Sequence, residues 1–282
     1  MKNSYKGKFI VLEGGEGSGK TTQLPLLTQA LLEQKGDGPP RRIIPTKEPT
    51  ENGVFGKLAR SLYSAENALN ADRIRAIVDE FFQSADYRWI TEQMWNALGS
   101  IHRRPHISAF DRLAREILNG RTEPLARFLV LTFIFDRFQH RVEQEIAWLE
   151  AGDCVVSDRD FLSGLAHADS EGFPWREVLK IHEEILGPFF IVPDLVIFLD
   201  VPVEVGLART AYKQNDRQER FDTTDQQIRI KNAYHEILQD PEIQNVIPSV
   251  IVDGTPRDPL EIHHSLWQEI QPFLAKWLNP KM

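Results

Sequence analysis

A glycine-rich turn near the N-terminus constrains the fold of this chain more than any other feature. Residues 9–23 read FIVLEGGEGSGKTTQ, an apolar run followed by glycines, a lysine and two threonines. The stretch from Gly14 to Thr21 fits the pattern G-x-x-x-x-G-K-[ST], whose backbone N–H groups surround a phosphate at the start of a helix. Because such a turn joins a buried strand to a helix, it predicts an α/β fold of the P-loop NTPase type.

The residues of this turn are expected to divide between phosphate and metal. Lys20 is predicted to reach the outer phosphates of a nucleoside triphosphate, and the Thr21 hydroxyl to hold Mg²⁺. Further contacts with this nucleotide are predicted at Gly14, Gly15, Gly17, Ser18, Gly19 and Thr22. GTPases, motor ATPases and small-molecule kinases share the pattern, so it identifies a nucleotide site and not a reaction. A glycine-rich turn without a ligand is the alternative.

Short apolar runs alternate with amphipathic stretches along most of the chain. The strand-like runs are 9–12, 43–45, 154–157, 195–199 and 250–252. The helix-like stretches are 21–34, 125–150, 175–186, 203–213, 225–238 and 260–277. This rhythm is typical of a three-layer αβα arrangement, with a five-stranded parallel sheet covered on both faces. We therefore predict one domain over residues 1–282.

Residues 51–124 break the rhythm, because they are helical in character and contain no clear strand. We predict an all-helical insert over 60–118, which includes the aromatic segments IVDEFF (77–82) and YRWITEQMW (87–95). So many aromatic side chains need burial. The insert is either a subdomain packed on the domain or on a partner subunit, or an added lid that selects the acceptor.

Bulk properties exclude several classes of protein. The net charge of −8 disfavours a nucleic-acid-binding surface. No apolar run approaches the roughly 18 residues of a membrane span. The single cysteine, Cys154, excludes an internal disulfide and fits a reducing cytoplasm.

Four further motifs offer charged groups to a nucleotide. Asp158 and Arg159 end a predicted strand, where an acid suits Mg²⁺ and a guanidinium suits phosphate; a structural ion pair is the alternative. Phe133 and Arg137 share one helix face and could grip a base, although such residues are usually core. Lys47 follows the second strand and could contact phosphate. A predicted lid over 213–223 carries two arginines, Arg217 and Arg220; a solvated linker is the alternative.

Together these motifs resemble the thymidylate kinase family. The resemblance includes FIVLEGGEGSGKTT, FDRFQH, SDRDFLSGLAH and PDLVIFLDVPVEVGLAR, in family order. It implies Mg²⁺-dependent phosphoryl transfer from ATP to a nucleoside monophosphate, with dTMP as the expected acceptor, by a cytoplasmic homodimer. It also implies that Glu16 reaches the sugar, that Ser163 lies near the base, and that Lys20, Asp158, Arg159, Arg217 and Arg220 are catalytic. Arg209 is an adenine-side candidate by position.

Departures from the family pattern concern the acceptor. Lys47 stands where the family has arginine, Asp160 replaces a tyrosine, and His167 lies in a stretch that lines the acceptor in the family. An added carboxylate near an anionic acceptor is unfavourable unless it points away. Two alternatives therefore stay open: a related kinase for another nucleoside or nucleotide, and a nucleotide-binding regulatory protein without turnover.

Overall fold

A five-stranded parallel sheet forms the centre of the protein. The computed structural model describes residues 3–34, 42–63, 70–85, 87–88, 92, 104–121, 123–214 and 223–278. The strands are β1 (Lys8–Glu13), β2 (Ile43–Lys47), β3 (Cys154–Asp158), β4 (Leu195–Asp200) and β5 (Ser249–Asp253). Their order is β2-β3-β1-β4-β5, and every pairing is parallel. The predicted sheet is confirmed.

Helices separate the strands along the chain. They are α1 (Lys20–Glu33), α2 (Val54–Tyr63), α3 (Ala71–Gln83), α4 (Arg104–Leu118), α5 (Leu125–His140), α6 (Ile146–Ala151), α7 (Phe161–Ser170), α8 (Trp175–Leu186), α9 (Val203–Gln214), α10 (Thr224–Gln239), α11 (Pro241–Val246) and α12 (Pro259–Leu278). A π-helical turn, Arg141–Glu145, joins α5 to α6, and a 3₁₀ turn, Gly187–Phe189, follows α8. Among the described residues, no helix is both long enough and apolar enough for a membrane span.

Both faces of the sheet are covered, which explains why its strands read as continuous apolar runs. Phe9 and Val11 point into a core that includes residues of α7 and α10, whereas Ile10 and Leu12 pack with residues of α1 and α12. All four side chains are fully buried. Alternate residues of a strand face opposite sides, so a sheet enclosed by two helical layers needs apolar residues at every position.

The helical layer between β2 and β3 has its own aromatic core. Phe110 of α4 stacks on Phe128 of α5, with ring centroids 4.4 Å apart, and packs against Phe55 of α2. Helix α5 is therefore enclosed, with 12 of its 16 residues buried. This packing supports the interpretation of a subdomain attached to the domain. The proposed boundary at 60 falls inside α2, and most of the 87–95 segment lies outside the described residues.

Candidate active site

The predicted phosphate turn lies at the carboxyl end of the central strand, between β1 and α1. Gly17 has a φ of 66°, and a Cβ atom there would lie 2.0 Å from the carbonyl oxygen of Gly206. Only glycine fits this close approach to α9. The candidate ATP residues from Gly14 to Thr22 are thus gathered in one turn and the first turn of the following helix, whose N-terminus favours anions.

Lys20 folds back over the phosphate turn. Its Nζ atom donates to the carbonyl oxygens of Gly14 and Gly15, each at 2.9 Å, and to Ser18 Oγ at 3.1 Å. Burial, followed by the nearby Arg159 guanidinium, lowers the pKa of Lys20 to about 8. All three hydrogen-bond acceptors of Lys20 are neutral oxygens, so an anionic ligand would stabilise its positive charge. This arrangement therefore suits a phosphate.

Thr21 and Asp158 provide oxygen atoms that fit Mg²⁺. Thr21 Oγ1 donates to Asp158 Oδ2 at 3.2 Å, whereas Asp158 Oδ1 is buried and has no hydrogen-bond partner. A buried, unpartnered carboxylate oxygen is well suited to a cation. No group of three or more His, Cys, Asp or Glu in the described part of the chain could hold a metal. Mg²⁺ is commonly bound by one or two protein oxygens together with substrate phosphates, which agrees with this arrangement.

Arg159 connects the phosphate turn to the neighbouring pocket. Its φ of 74° is unusual for a residue with a side chain and represents the kind of backbone strain found at functional sites. The guanidinium donates to the Gly14 carbonyl at 3.1 Å and to Ser163 Oγ at 3.2 Å, and it forms an ion pair with Glu16. Although burial raises the pKa of Glu16, the Arg159 charge lowers it below the usual range.

A pocket lies between α5 and α7. Its empty space, counted together with the open mouth, is about 770 Å³. One wall is apolar, with Leu129, Val130 and Phe133 of α5. The facing helix contributes small or polar residues: Ser163, Gly164, His167 and Ala168. A flat ring fits between walls of this kind. The structure thus brings the predicted residues Phe133, Arg137, Arg159 and Ser163 to one pocket.

Asp160 lines this pocket but is buried, and its carboxylate is bound by two guanidinium groups. Its Oδ1 atom accepts hydrogen bonds of 2.8 Å from Arg137 Nε and from Arg141 Nη2. These pairs belong to a buried cluster of six ionisable side chains: Glu48, Arg137, His140, Arg141, Glu145 and Asp160. Burial lowers the pKa of His140, but Glu145 outweighs it and raises that pKa above the usual range. Burial raises the pKa of Glu48 to about 8, although the Arg137 charge opposes that shift.

Other predicted residues lie apart from this pocket or outside the described residues. Lys47 lines a second cavity beside β2, and it forms an ion pair with Glu51. Arg209 donates to the carbonyl oxygens of Gly17, Gly254, Thr255 and Pro256 at 2.8–3.3 Å, and so ties the phosphate turn to the loop after β5. The proposed lid arginines, Arg217 and Arg220, fall outside the described residues.

Several residues in or beside the pocket were not predicted from the sequence. Tyr63 of α2 lines the pocket and packs edge-on against Phe133, with centroids 6.4 Å apart. His182 of α8 bonds to Arg137, and Glu13 accepts a hydrogen bond of 2.6 Å from the Ser163 hydroxyl. Tyr63 and His182 stand in helices with no chemical motif, so only their place in the fold identifies them. Glu13 directly precedes the phosphate turn, and this position could have identified it from the sequence.

Comparisons with known proteins identify related sequences. The family model described as thymidylate kinase matches residues 87–249. A probable thymidylate kinase of Thermococcus gammatolerans is 30% identical over 72% of this chain and 70% of its own length. A thymidylate kinase of Halothermothrix orenii is 26% identical over 96% of this chain and 100% of its own length. A probable thymidylate kinase of Pyrococcus abyssi is 28% identical over 74% of this chain and 73% of its own length.

Proposed function

Because the chain belongs to the thymidylate kinase family, we propose that it transfers the γ-phosphoryl group of ATP to a nucleoside monophosphate, with dTMP as the acceptor. The observation that carries this proposal is the position of Arg159. It contacts Gly14 of the phosphate turn and Ser163 of the pocket, and so would lie between the donor site and the acceptor site. A phosphotransferase needs such a junction between its two substrates.

The donor side would be formed by the phosphate turn. Its backbone N–H groups and Lys20 would bind the ATP phosphates. The hydrogen bonds of Arg209 would keep the turn against the loop after β5. Thr21 and Asp158 would hold Mg²⁺, which neutralises phosphate charge when it is bound. Lys20 would leave the carbonyl oxygens of Gly14 and Gly15 for the more strongly accepting phosphate oxygens.

The acceptor would lie between α5 and α7. Phe133 would stack on the base, and Arg137 would donate to its edge. Glu16, held by Arg159, would reach the sugar hydroxyl. The acceptor phosphate would sit beside Arg159, and its anionic oxygen would attack the γ-phosphorus while the bond to the β-phosphate bridging oxygen breaks. This nucleophile carries a negative charge already, so the reaction requires no general base from the protein.

Three further proposals concern the protein outside the two sites. Arg217 and Arg220 would close over the transferring group as part of a lid over 213–223. The protein would act as a homodimer, which sedimentation of the full chain can test. A cytoplasmic location agrees with the single cysteine, Cys154, which is buried and reduced.

The direct test is ADP formation with ATP and Mg²⁺ across a panel of nucleoside monophosphates. We expect turnover that requires dTMP and falls at least 100-fold in Lys20→Ala, the scale of one lost electrostatic contact in a transition state. Turnover with another monophosphate and none with dTMP would contradict the assigned acceptor. ATP binding without turnover of any acceptor would favour a regulatory protein.

A further inference from the structure

His182 of helix α8 is a buried side chain that lines the acceptor pocket but has no part in the mechanism above. It is 1% exposed, and it lies in a stretch, EVLKIHEEIL, that reads as an ordinary amphipathic helix. A buried imidazole needs partners for both ring nitrogens, since an unpaired polar group in the interior is destabilising. Its two partners define what it can do.

The two contacts of His182 fix its tautomer. Nδ1 lies 2.8 Å from the carbonyl oxygen of Val178, and Nε2 lies 2.8 Å from Nη1 of Arg137. A carbonyl oxygen only accepts and a guanidinium only donates, so Nδ1 carries the proton and Nε2 accepts from Arg137. Burial, followed by the Arg137 charge, lowers the pKa of His182 to about 3. The ring is therefore neutral and remains an acceptor at ordinary pH.

Arg137 is held on all three of its nitrogen atoms. Nε donates to Asp160 at 2.8 Å and to Glu48 at 3.2 Å, and Nη2 donates to the second oxygen of Glu48. His182 takes a hydrogen from Nη1. A guanidinium has five N–H bonds. These contacts use one N–H bond of each nitrogen, so two N–H bonds remain, one on Nη1 and one on Nη2. The three partners come from different parts of the fold, and together they set the plane of the group.

We propose that His182 is a positioning residue, which orients Arg137 so that its two remaining N–H groups meet the base of the acceptor. This inference rests on the proposed function and adds to it a residue of α8. Without His182, Glu48 and Asp160 would still hold the Nε side, but the Nη1 end would lose its anchor. Gly164 of α7 leaves this end uncovered, because a Cβ atom there would lie 3.5 Å from His182 Nε2 and 3.8 Å from Arg137 Nη1.

The test is steady-state kinetics of the full-length protein with dTMP and ATP. His182→Leu should raise the KM for dTMP by about 10- to 100-fold, the range of one hydrogen bond to a charged group. The kcat and the KM for ATP should change less than about 2-fold, because a base contact is equally strong in ground and transition states. His182→Gln, whose amide oxygen can accept from Arg137, should recover part of the loss.

A double-mutant cycle separates positioning from general structure. In an Arg137→Gln background, His182→Leu should cause no further rise in the KM for dTMP, whereas a purely structural effect would add in both backgrounds. Equal factors in the two backgrounds, or an unchanged KM in folded His182→Leu, would overturn the proposal. Thermal unfolding reports whether each variant is folded.

A second variant keeps the proposal testable if His182→Leu does not fold. His182→Phe keeps an aromatic ring of similar size beside Phe161, but this ring cannot accept a hydrogen bond from Arg137. We expect a rise in the KM for dTMP as large as that of His182→Leu, and an unchanged KM in the folded variant would count against the proposal. Wild-type protein that turns over no monophosphate overturns the proposed function and this inference together. Normal wild-type turnover with unaffected variants overturns the inference alone.

Discussion

The Oδ1 atom of Asp160 lies 2.8 Å from Nε of Arg137, inside the protein and 1% exposed. The same oxygen accepts from Arg141, so one carboxylate links the acceptor pocket to the π-helical turn after α5. The resemblance to the thymidylate kinase family suggested a conflict at this position between a carboxylate and an anionic acceptor. The contact with two guanidinium groups reduces that conflict, because their positive charges offset the negative charge of Asp160.

Asp160→Ala should lower the free energy of unfolding by about 3–5 kcal/mol, because two buried guanidinium groups lose a partner. Asp160→Tyr, which restores the residue type of the family, should also destabilise the protein, since the ring cannot neutralise Arg137 or Arg141. Urea unfolding measures both changes. The control is Asp72→Ala, which removes an exposed carboxylate paired with Arg75 and should change stability by less than about 1 kcal/mol. Similar losses at Asp72 and Asp160 would contradict the buried-cluster description.

Asp158→Asn should weaken the response to Mg²⁺. The unpartnered, buried Oδ1 atom would lose the charge that suits it to a cation, so the Mg²⁺ concentration for half-maximal rate should rise and kcat should fall by about 100-fold. A magnesium titration of ADP formation measures both values. Asp200→Asn is the control. Asp200 ends β4 and pairs with Lys231, so this substitution should leave the magnesium response unchanged.

The neutral His182 predicts a defined dependence of stability on pH. The pKa of His182 is about 3 in the folded protein, whereas its ordinary value, expected in the unfolded chain, is 6.5. Between pH 3 and pH 6.5 the unfolded chain therefore binds a proton that the folded protein does not bind. The contribution of neutral His182 to the free energy of unfolding is therefore fully present above pH 6.5 and is lost as the pH falls toward 3. Relative to His182→Gln, wild-type protein should lose about 2 kcal/mol between pH 7 and pH 5. Parallel urea-unfolding results at both pH values would show that His182 is charged or exposed.

Phe110→Ala should destabilise the protein by about 3–5 kcal/mol, because the ring is buried among other aromatic rings in the layer that encloses α5. Since α5 carries Phe133 and Arg137, the KM for dTMP should rise as well. Chemical unfolding and kinetics measure the two effects. Glu80→Ala, at an exposed position of α3, is the control and should change neither. A stability loss confined to a separate early transition would indicate that the insert unfolds independently.

Much of the fold could be predicted from local patterns. Strands enclosed on both faces must be apolar at every position, and each such run proved to be a strand of the sheet. The helix between residues 161 and 170 was not predicted as an element, because Phe161, Ser163 and Gly164 are read there as a site motif and glycine lowers helix propensity. The strand order was not predicted either, since it depends on contacts between residues far apart in the chain.

The sequence by itself determined the phosphate turn, the parallel sheet and the family, because glycine spacing, apolar runs and motif order are local properties. Only the tertiary structure decided how the charges near the acceptor pair. Glu48, Arg137, Asp160 and His182 come from four separate segments, and their side chains bond to one another at about 3 Å. The pairing of Asp160 with two arginines, the anchoring of Arg137 and the position of Lys47 in a second cavity follow from that packing. No spacing along the chain could reveal them.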